Sequence, residues 1–149
     1  MGDWETVNQV WGAVEGDLPS LGQAFMLRLF KDHPDTKAYF SKFKSMSLSQ
    51  LEKDEDLKVQ GNTVLRALGD IVKTKGNHGS NVKALATTHI HQHKVPPENF
   101  TLASKVIVAL LVDKYPSDMT GPVQQAFTNV LRTVCTDLEA EYKAANFQP

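Results

Sequence analysis

A chain of 149 residues is long enough to bury a core without disulfides or structural metal, so a single domain over residues 1–149 is expected. Hydrophobic residues make up 41% and charged residues 22%, which excludes the low-hydrophobicity, high-charge profile of a disordered segment. With 16 basic against 17 acidic side chains there is no positive excess to neutralise phosphates or anionic lipid, and nucleic acid is not expected as a partner.

No β-alternation is sustained anywhere, whereas apolar residues recur at intervals of three and four in one segment after another. The first segment places Trp4, Val7, Val10, Trp11 and Val14 on one face, with Asp3 as the expected cap and Pro19 as the break. A second helix is predicted from Pro19 to Asp32, burying Phe25, Met26, Leu29 and Phe30, and Pro34 opens a short third turn. The Ser- and Lys-rich stretch from Tyr39 to Gln50 is read as an irregular corner. Asp54 then caps a long helix with Leu57, Val64, Leu65, Leu68 and Ile71 on its apolar side, closing near Gly76.

A shorter helix is predicted over residues 80–91, and Pro96 and Pro97 separate it from a long one carrying Phe100, Ala103, Val106, Ile107, Leu110 and Leu111. Pro116 and Gly121 introduce the last, whose stripe runs Val123, Phe127, Val130, Leu131, Val134, Leu138 and Tyr142. The fold class is therefore all-α. Unequal helices with prolines at the joints favour crossing helices packed ridges into grooves over a regular four-helix bundle.

Three of the five histidines crowd into HIHQHKVPP, His89 to Pro97. On a helix His89 and His93 share a face while His91 points elsewhere, and His91 reads as a helix-end residue. The pair could share a metal ion, but a zinc site needs further ligands, and there is no HExxH and only one cysteine. His89 follows Leu85 by four and lies on the buried face. One ligating histidine in an all-helical apolar pocket points to haem iron.

Hydrolytic and phosphoryl-transfer motifs are absent, and Asp54, Glu55 and Asp56 read as the acidic first turn of a helix. Cys135 lies on the last helix's stripe and is expected to be a small core residue. It has no partner for an internal disulfide, and no apolar stretch following basic residues marks a signal peptide. The clean apolar run from Val106 to Val112 falls short of the roughly 20 residues that cross a bilayer, so a cytoplasmic chain without a membrane span is expected. The start fits the myristoylation pattern but lacks the basic cluster of a second anchoring signal, and Trp4 reads as a core residue.

The whole chain resembles the vertebrate myoglobins of the globin family. The resemblance rests on Trp4 and Trp11, RLFKDHP at Arg28 to Pro34, YFSKFK at Tyr39 to Lys44, and GNTVLRALG at Gly61 to Gly69. It continues through LATTHIHQHKVPP at Leu85 to Pro97 and EYKAANFQ at Glu141 to Gln148. It implies a globin fold of about eight helices packed around haem b, iron protoporphyrin IX. It makes His89 the proximal ligand to iron and Phe40 the wedge against the haem ring. Thr88 is implied as a hydroxyl that helps orient the ligand, and Lys42 and His93 as groups near the propionates. Val64, Phe43, Leu85 and Val95 become the pocket walls.

Gln60 stands where most members of the family carry the distal histidine, so an amide rather than an imidazole is expected to face the bound gas. Gln60 and Val64 are i, i+4 on one face, and the amide NH₂ can donate to partially anionic bound oxygen. Met26 stands where relatives usually have leucine beside the ligand. The function implied is a monomer that binds dioxygen reversibly, and also carbon monoxide and nitric oxide. It stores oxygen and speeds its diffusion in the sarcoplasm of muscle cells. The alternative is an enzyme using the same haem as a nitrite reductase, nitric oxide dioxygenase or pseudoperoxidase.

Overall fold

In the computed structural model the described residues are 2–40, 42–89 and 95–145. The first helix, α1 (Asp3–Glu15), buries Val7, Val10, Trp11 and Val14, the face its spacing predicts. Asp3 is not its cap. Gly2 holds the cap position, and Asp3, inside the first turn where a negative charge suits the helix dipole, accepts a hydrogen bond from Asn129 at 3.1 Å. Pro19 lies in the first turn of α2 (Leu18–Asp32), where its missing N–H costs nothing, and a 3₁₀ helix follows over Pro34–Tyr39.

The expected irregular corner contains a further helix, α3 (Leu48–Glu52). Ser47 and Gln50 form a reciprocal capping box: the Gln50 amide donates to the Ser47 hydroxyl at 3.2 Å, and the Ser47 amide donates to the Gln50 side chain at 2.9 Å. Next comes α4 (Glu55–Lys73), where Asp54 accepts from the Leu57 amide at 3.0 Å as a cap should. The turn leaving α4 passes through positive φ at Lys75 (53°) and Gly76 (102°), a left-handed conformation that ends the helix. The remaining helices are α5 (Gly79–Thr88), α6 (Glu98–Lys114) and α7 (Gly121–Ala144). Among the described residues there is no strand, and no helix is long and apolar enough to cross a membrane.

The most extensive helix pair is α2 with α4, and glycine makes it possible. Gly22 and Gly61 meet backbone to backbone: a Cβ on Gly22 would lie 2.6 Å from the Asn62 nitrogen, and one on Gly61 would overlap the Gly22 carbonyl. Gly69, two turns on, does the same for α1, since a Cβ there would reach within 2.6 Å of Trp11 Nε1. The start of α5 is tied to α7 and α1 by His78, which is buried, with Nε2 2.5 Å from Asp137 and its ring 5.2 Å from that of Trp4.

The buried side chains fall into two clusters. The larger joins α1, α2, Leu57, Leu65 and Val72 of α4, and much of α6 and α7. The smaller joins Ile71 of α4, Val82 and Ala86 of α5, and Val134, Leu138 and Tyr142 of α7.

Because neither crossing glycine has room for a methyl group, Gly61→Ala should destabilise the fold by at least about 2 kcal/mol, the cost of overpacking against rigid backbone. Gly12, whose added Cβ meets nothing within 4 Å, is the control, and Gly12→Ala should not destabilise. Urea unfolding of both variants checks this, and equal midpoints would show that the crossing tolerates expansion.

Candidate functional site

His89 caps the C-terminal end of α5 and is half-buried. Its Nδ1 lies 2.9 Å from the Leu85 carbonyl, one turn back. A carbonyl only accepts, so Nδ1 carries a proton, and in a neutral ring this leaves the lone pair on Nε2. That is the tautomer of a neutral imidazole ligand, its outer nitrogen oriented by a hydrogen bond to the backbone. Around the histidine, the Val95 amide donates to the His89 carbonyl at 3.0 Å, and the Tyr142 hydroxyl donates to the Val95 carbonyl at 2.6 Å. Burial, and then the charge of Glu98, pushes the Tyr142 hydroxyl up to about 12, so it remains a donor throughout the physiological range.

On α4, Gln60, Val64 and Leu68 recur at intervals of four, share one face, and are all half-buried. Phe40 is half-buried and Phe43 buried, and both rings pack on Phe30 of α2 with centroids 5.5 and 6.3 Å away. Phe40, Val64 and Leu68 edge the larger cluster, of which Phe43 is a buried member, whereas Leu85 and Phe100 edge the smaller one. Val95 is buried, and Met26 is wholly enclosed, one turn along α2 from the Gly22 crossing.

Lys42 is exposed and its ammonium lies 2.5 Å from the Asp56 carboxylate at the start of α4. His93 and the side chain of Thr88 lie outside the described residues, and so does the shared-metal reading of His89 with His93. Among the described residues no three His, Cys, Asp or Glu side chains group to hold a metal ion.

One neighbour of His89, Phe100, was not read from the sequence as a site residue, and Leu85 was read as a wall without the part its carbonyl plays. Phe100, placed only in the stripe of its helix, puts its ring 5.1 Å from the imidazole, and the Leu85 carbonyl, a backbone group with no side-chain signature, orients the ring. Cys135 departs from its expected core position. It is half-buried, with its sulfur 3.4 Å from the Ser104 hydroxyl, in the wall of a groove of about 670 Å³ between α6 and α7. Burial raises its thiol pKa, and none of the expected site residues lines that groove.

The family profile named Globin matches residues 23–138, which span α2 to most of α7. The chain belongs to the globin family, among the myoglobins. It is 55% identical over 148 residues to the myoglobin of Heterodontus portusjacksoni, covering 99% of each chain. It is 52% identical to that of Mustelus antarcticus and 49% identical to that of Galeorhinus galeus, again over 99% of each chain. The seven α-helices and one 3₁₀ helix described are thus those of an all-α globin fold.

In this globin the raised Tyr142 hydroxyl has a consequence for stability. Its folded value, about 12, exceeds the ordinary 10.0, so the folded state holds the proton more tightly. That contribution is complete below about pH 10 and is lost as pH rises through the folded value, at most about 2 to 3 kcal/mol. Unfolding free energy should therefore fall more steeply between pH 10 and 12 in the native chain than in Tyr142→Phe. Urea titrations at successive pH values read the difference, and parallel curves would contradict it.

Proposed function

We propose that this globin holds one haem b between the two clusters, with His89 as the axial ligand to iron, and binds dioxygen reversibly on the side of Gln60. The observation that carries this reading is the Nδ1 to Leu85 carbonyl hydrogen bond, because it presets a single neutral imidazole for ligation. The surroundings fit a flat apolar group as well. Phe40, Val64 and Leu68 on one margin, and Leu85 and Phe100 on the other, are apolar yet only half-buried at the edges of two separate cores. When bound, the group would supply an iron atom able to take dioxygen, carbon monoxide or nitric oxide.

The chain's own residues do the rest. Phe40, Phe43, Val64, Leu85 and Val95 are the apolar walls that exclude water. Met26 backs the ligand side from inside the core. Gln60 donates its amide N–H to the bound gas, and Val64, one turn on, crowds it. The resemblance assigns Lys42 and His93 to the propionate side and the Thr88 hydroxyl to the orientation of the ligand; of these side chains only that of Lys42 is described, its ammonium 2.5 Å from the Asp56 carboxylate. A carrier, rather than a catalyst, is what apolar walls with one neutral donor support. We read the whole chain as one domain, monomeric and cytoplasmic, that stores oxygen and speeds its diffusion in muscle.

His89→Gly should lose tight haem binding, and added imidazole should restore the five-coordinate ferrous spectrum in part. Native affinity and spectrum in that variant would remove His89 as the ligand.

Gln60→Val should speed oxygen release roughly 5- to 150-fold, equivalent to a hydrogen bond of about 1 to 3 kcal/mol, and change carbon monoxide release much less. An amide has no proton equilibrium near neutrality, so ligand entry in the native chain should lack the acid-opened gate of a distal histidine. Stopped-flow release of both gases with pH scans decides this: equal effects on the two gases would argue against the hydrogen bond.

Oxygen binding should be hyperbolic and the protein monomeric in sedimentation, since cooperativity needs coupled sites. A Hill coefficient well above unity would sink the monomeric storage reading.

A further inference from the structure

His89 ends α5, and one hydrogen bond, from Nδ1 to the Leu85 carbonyl at 2.9 Å, does not alone determine how its ring is turned. The Cβ–Cγ torsion of histidine is a broad two-fold rotor, and an acceptor one turn back still allows the ring plane to pivot about the N–H···O direction. A further contact against the ring restricts the plane, and Phe100 makes one. The two ring centroids are 5.1 Å apart with 59° between the planes, within the range of tilted aromatic pairs.

Phe100 is in turn held. Tyr142 meets it edge-on, with centroids 6.1 Å apart and planes at 77°, and the Phe100 carbonyl accepts from the Ser104 hydroxyl at 2.8 Å. Tyr142 is buried and anchored by its hydroxyl to the Val95 carbonyl at 2.6 Å, and the Val95 amide returns to the His89 carbonyl at 3.0 Å. The contacts close a ring: imidazole, Phe100, Tyr142, Val95 and the His89 backbone. Each of α5, α6 and α7 contributes a member. Phe100 is itself only half-buried, at the edge of the smaller cluster rather than inside it, so filling the core is not its main contribution.

We propose that Phe100 is a positioning residue for His89 and that Tyr142 holds Phe100 in place, so that the last helix sets the plane of the imidazole presented to iron. This rests on His89 as the iron ligand, and it adds two residues that touch neither the gas nor the metal. The ring of Phe100, rather than its bulk, is what the role requires.

The test compares Phe100→Leu, which keeps apolar bulk without a ring, with Phe100→Tyr, which keeps the ring, and with Tyr142→Phe, which removes one hydroxyl. In the haem-loaded protein, Phe100→Leu should displace and broaden the iron–histidine stretching band in resonance Raman spectra. Haem loss should speed up roughly 2- to 10-fold, the equivalent of one aromatic pair. Phe100→Tyr should keep the native band, and Tyr142→Phe should move it in the same direction as Phe100→Leu but less. In the haem-free chain, two-bond ¹H–¹⁵N spectra should show His89 as a single Nδ1–H tautomer in the native protein and as a mixture in Phe100→Leu.

A native band and a native tautomer in a folded Phe100→Leu would overturn the proposal. If that variant does not fold, Tyr142→Phe carries the test, and an unmoved band and tautomer there would overturn it equally. Failure of the native chain to take up haem at all would defeat the proposed function instead, while the haem-free tautomer measurement would still judge Phe100.

Discussion

Two helices of this chain touch through backbone alone, and the position of everything on α4 follows from it. Where Gly22 meets Gly61 neither residue has space for a Cβ, so α2 and α4 lie closer than any pair of side chains would allow. Gln60 precedes that contact by one residue and Val64 follows it by one turn, so their distance from α2 is set by main-chain atoms rather than by adaptable side chains. Gly69 in turn leaves room on α4 for the Trp11 indole of α1, a side chain rather than backbone. A side chain carried on such a support is placed more precisely than one on a mobile wall.

With α4 committed to α2, the helix contributes Leu57, Leu65 and Val72 to the larger cluster and only Ile71 to the smaller. α5 is assigned elsewhere: Val82 and Ala86 pack with α7, and His78 at its start is pinned to Asp137 and Trp4. The interior therefore consists of two cores with apolar margins rather than one. Such margins lose hydrophobic stabilisation while they stay half in water, about 25 cal/mol for each Å² of apolar surface, and a bound apolar group recovers it. The same arithmetic links ligand binding to stability, since whatever binds only the folded chain stabilises it.

Electrostatics does little for this architecture and more for its chemistry. The pairs of Lys42 with Asp56 and Lys73 with Glu15 are exposed, and pairs of that kind contribute about 0 to 1 kcal/mol. Among the described residues around His89 are a backbone carbonyl, the ring of Phe100 and, behind it, the Tyr142 phenol, whose proton is held mainly by burial. A backbone carbonyl on Nδ1 orients the ring without the gain in basicity that a carboxylate there would bring.

The sequence alone determined what depends on neighbours within a turn or two. Pro19 and Pro34 start their helices, Asp54 caps α4, and the apolar phase of α1, α4 and α7 names the buried faces, because helix stops and periodicity are local properties. The one-turn spacing of Leu85 and His89 is likewise local, and the structure places the His89 Nδ1 on the Leu85 carbonyl. Local signals still failed where an element was short: the Ser47–Gln50 capping box was present, but a five-residue helix with only Leu51 buried has no period to detect. What the tertiary structure decided depends on how helices cross. Gly22 and Gly61 look unremarkable until α2 and α4 meet, Cys135 lines a groove with Ser104 of α6 rather than sitting in the core, and Phe100 of α6 meets His89 although the two lie eleven residues apart in the chain. No periodicity encodes the direction one helix takes relative to the next, since that direction is set by packing between residues far apart in the chain.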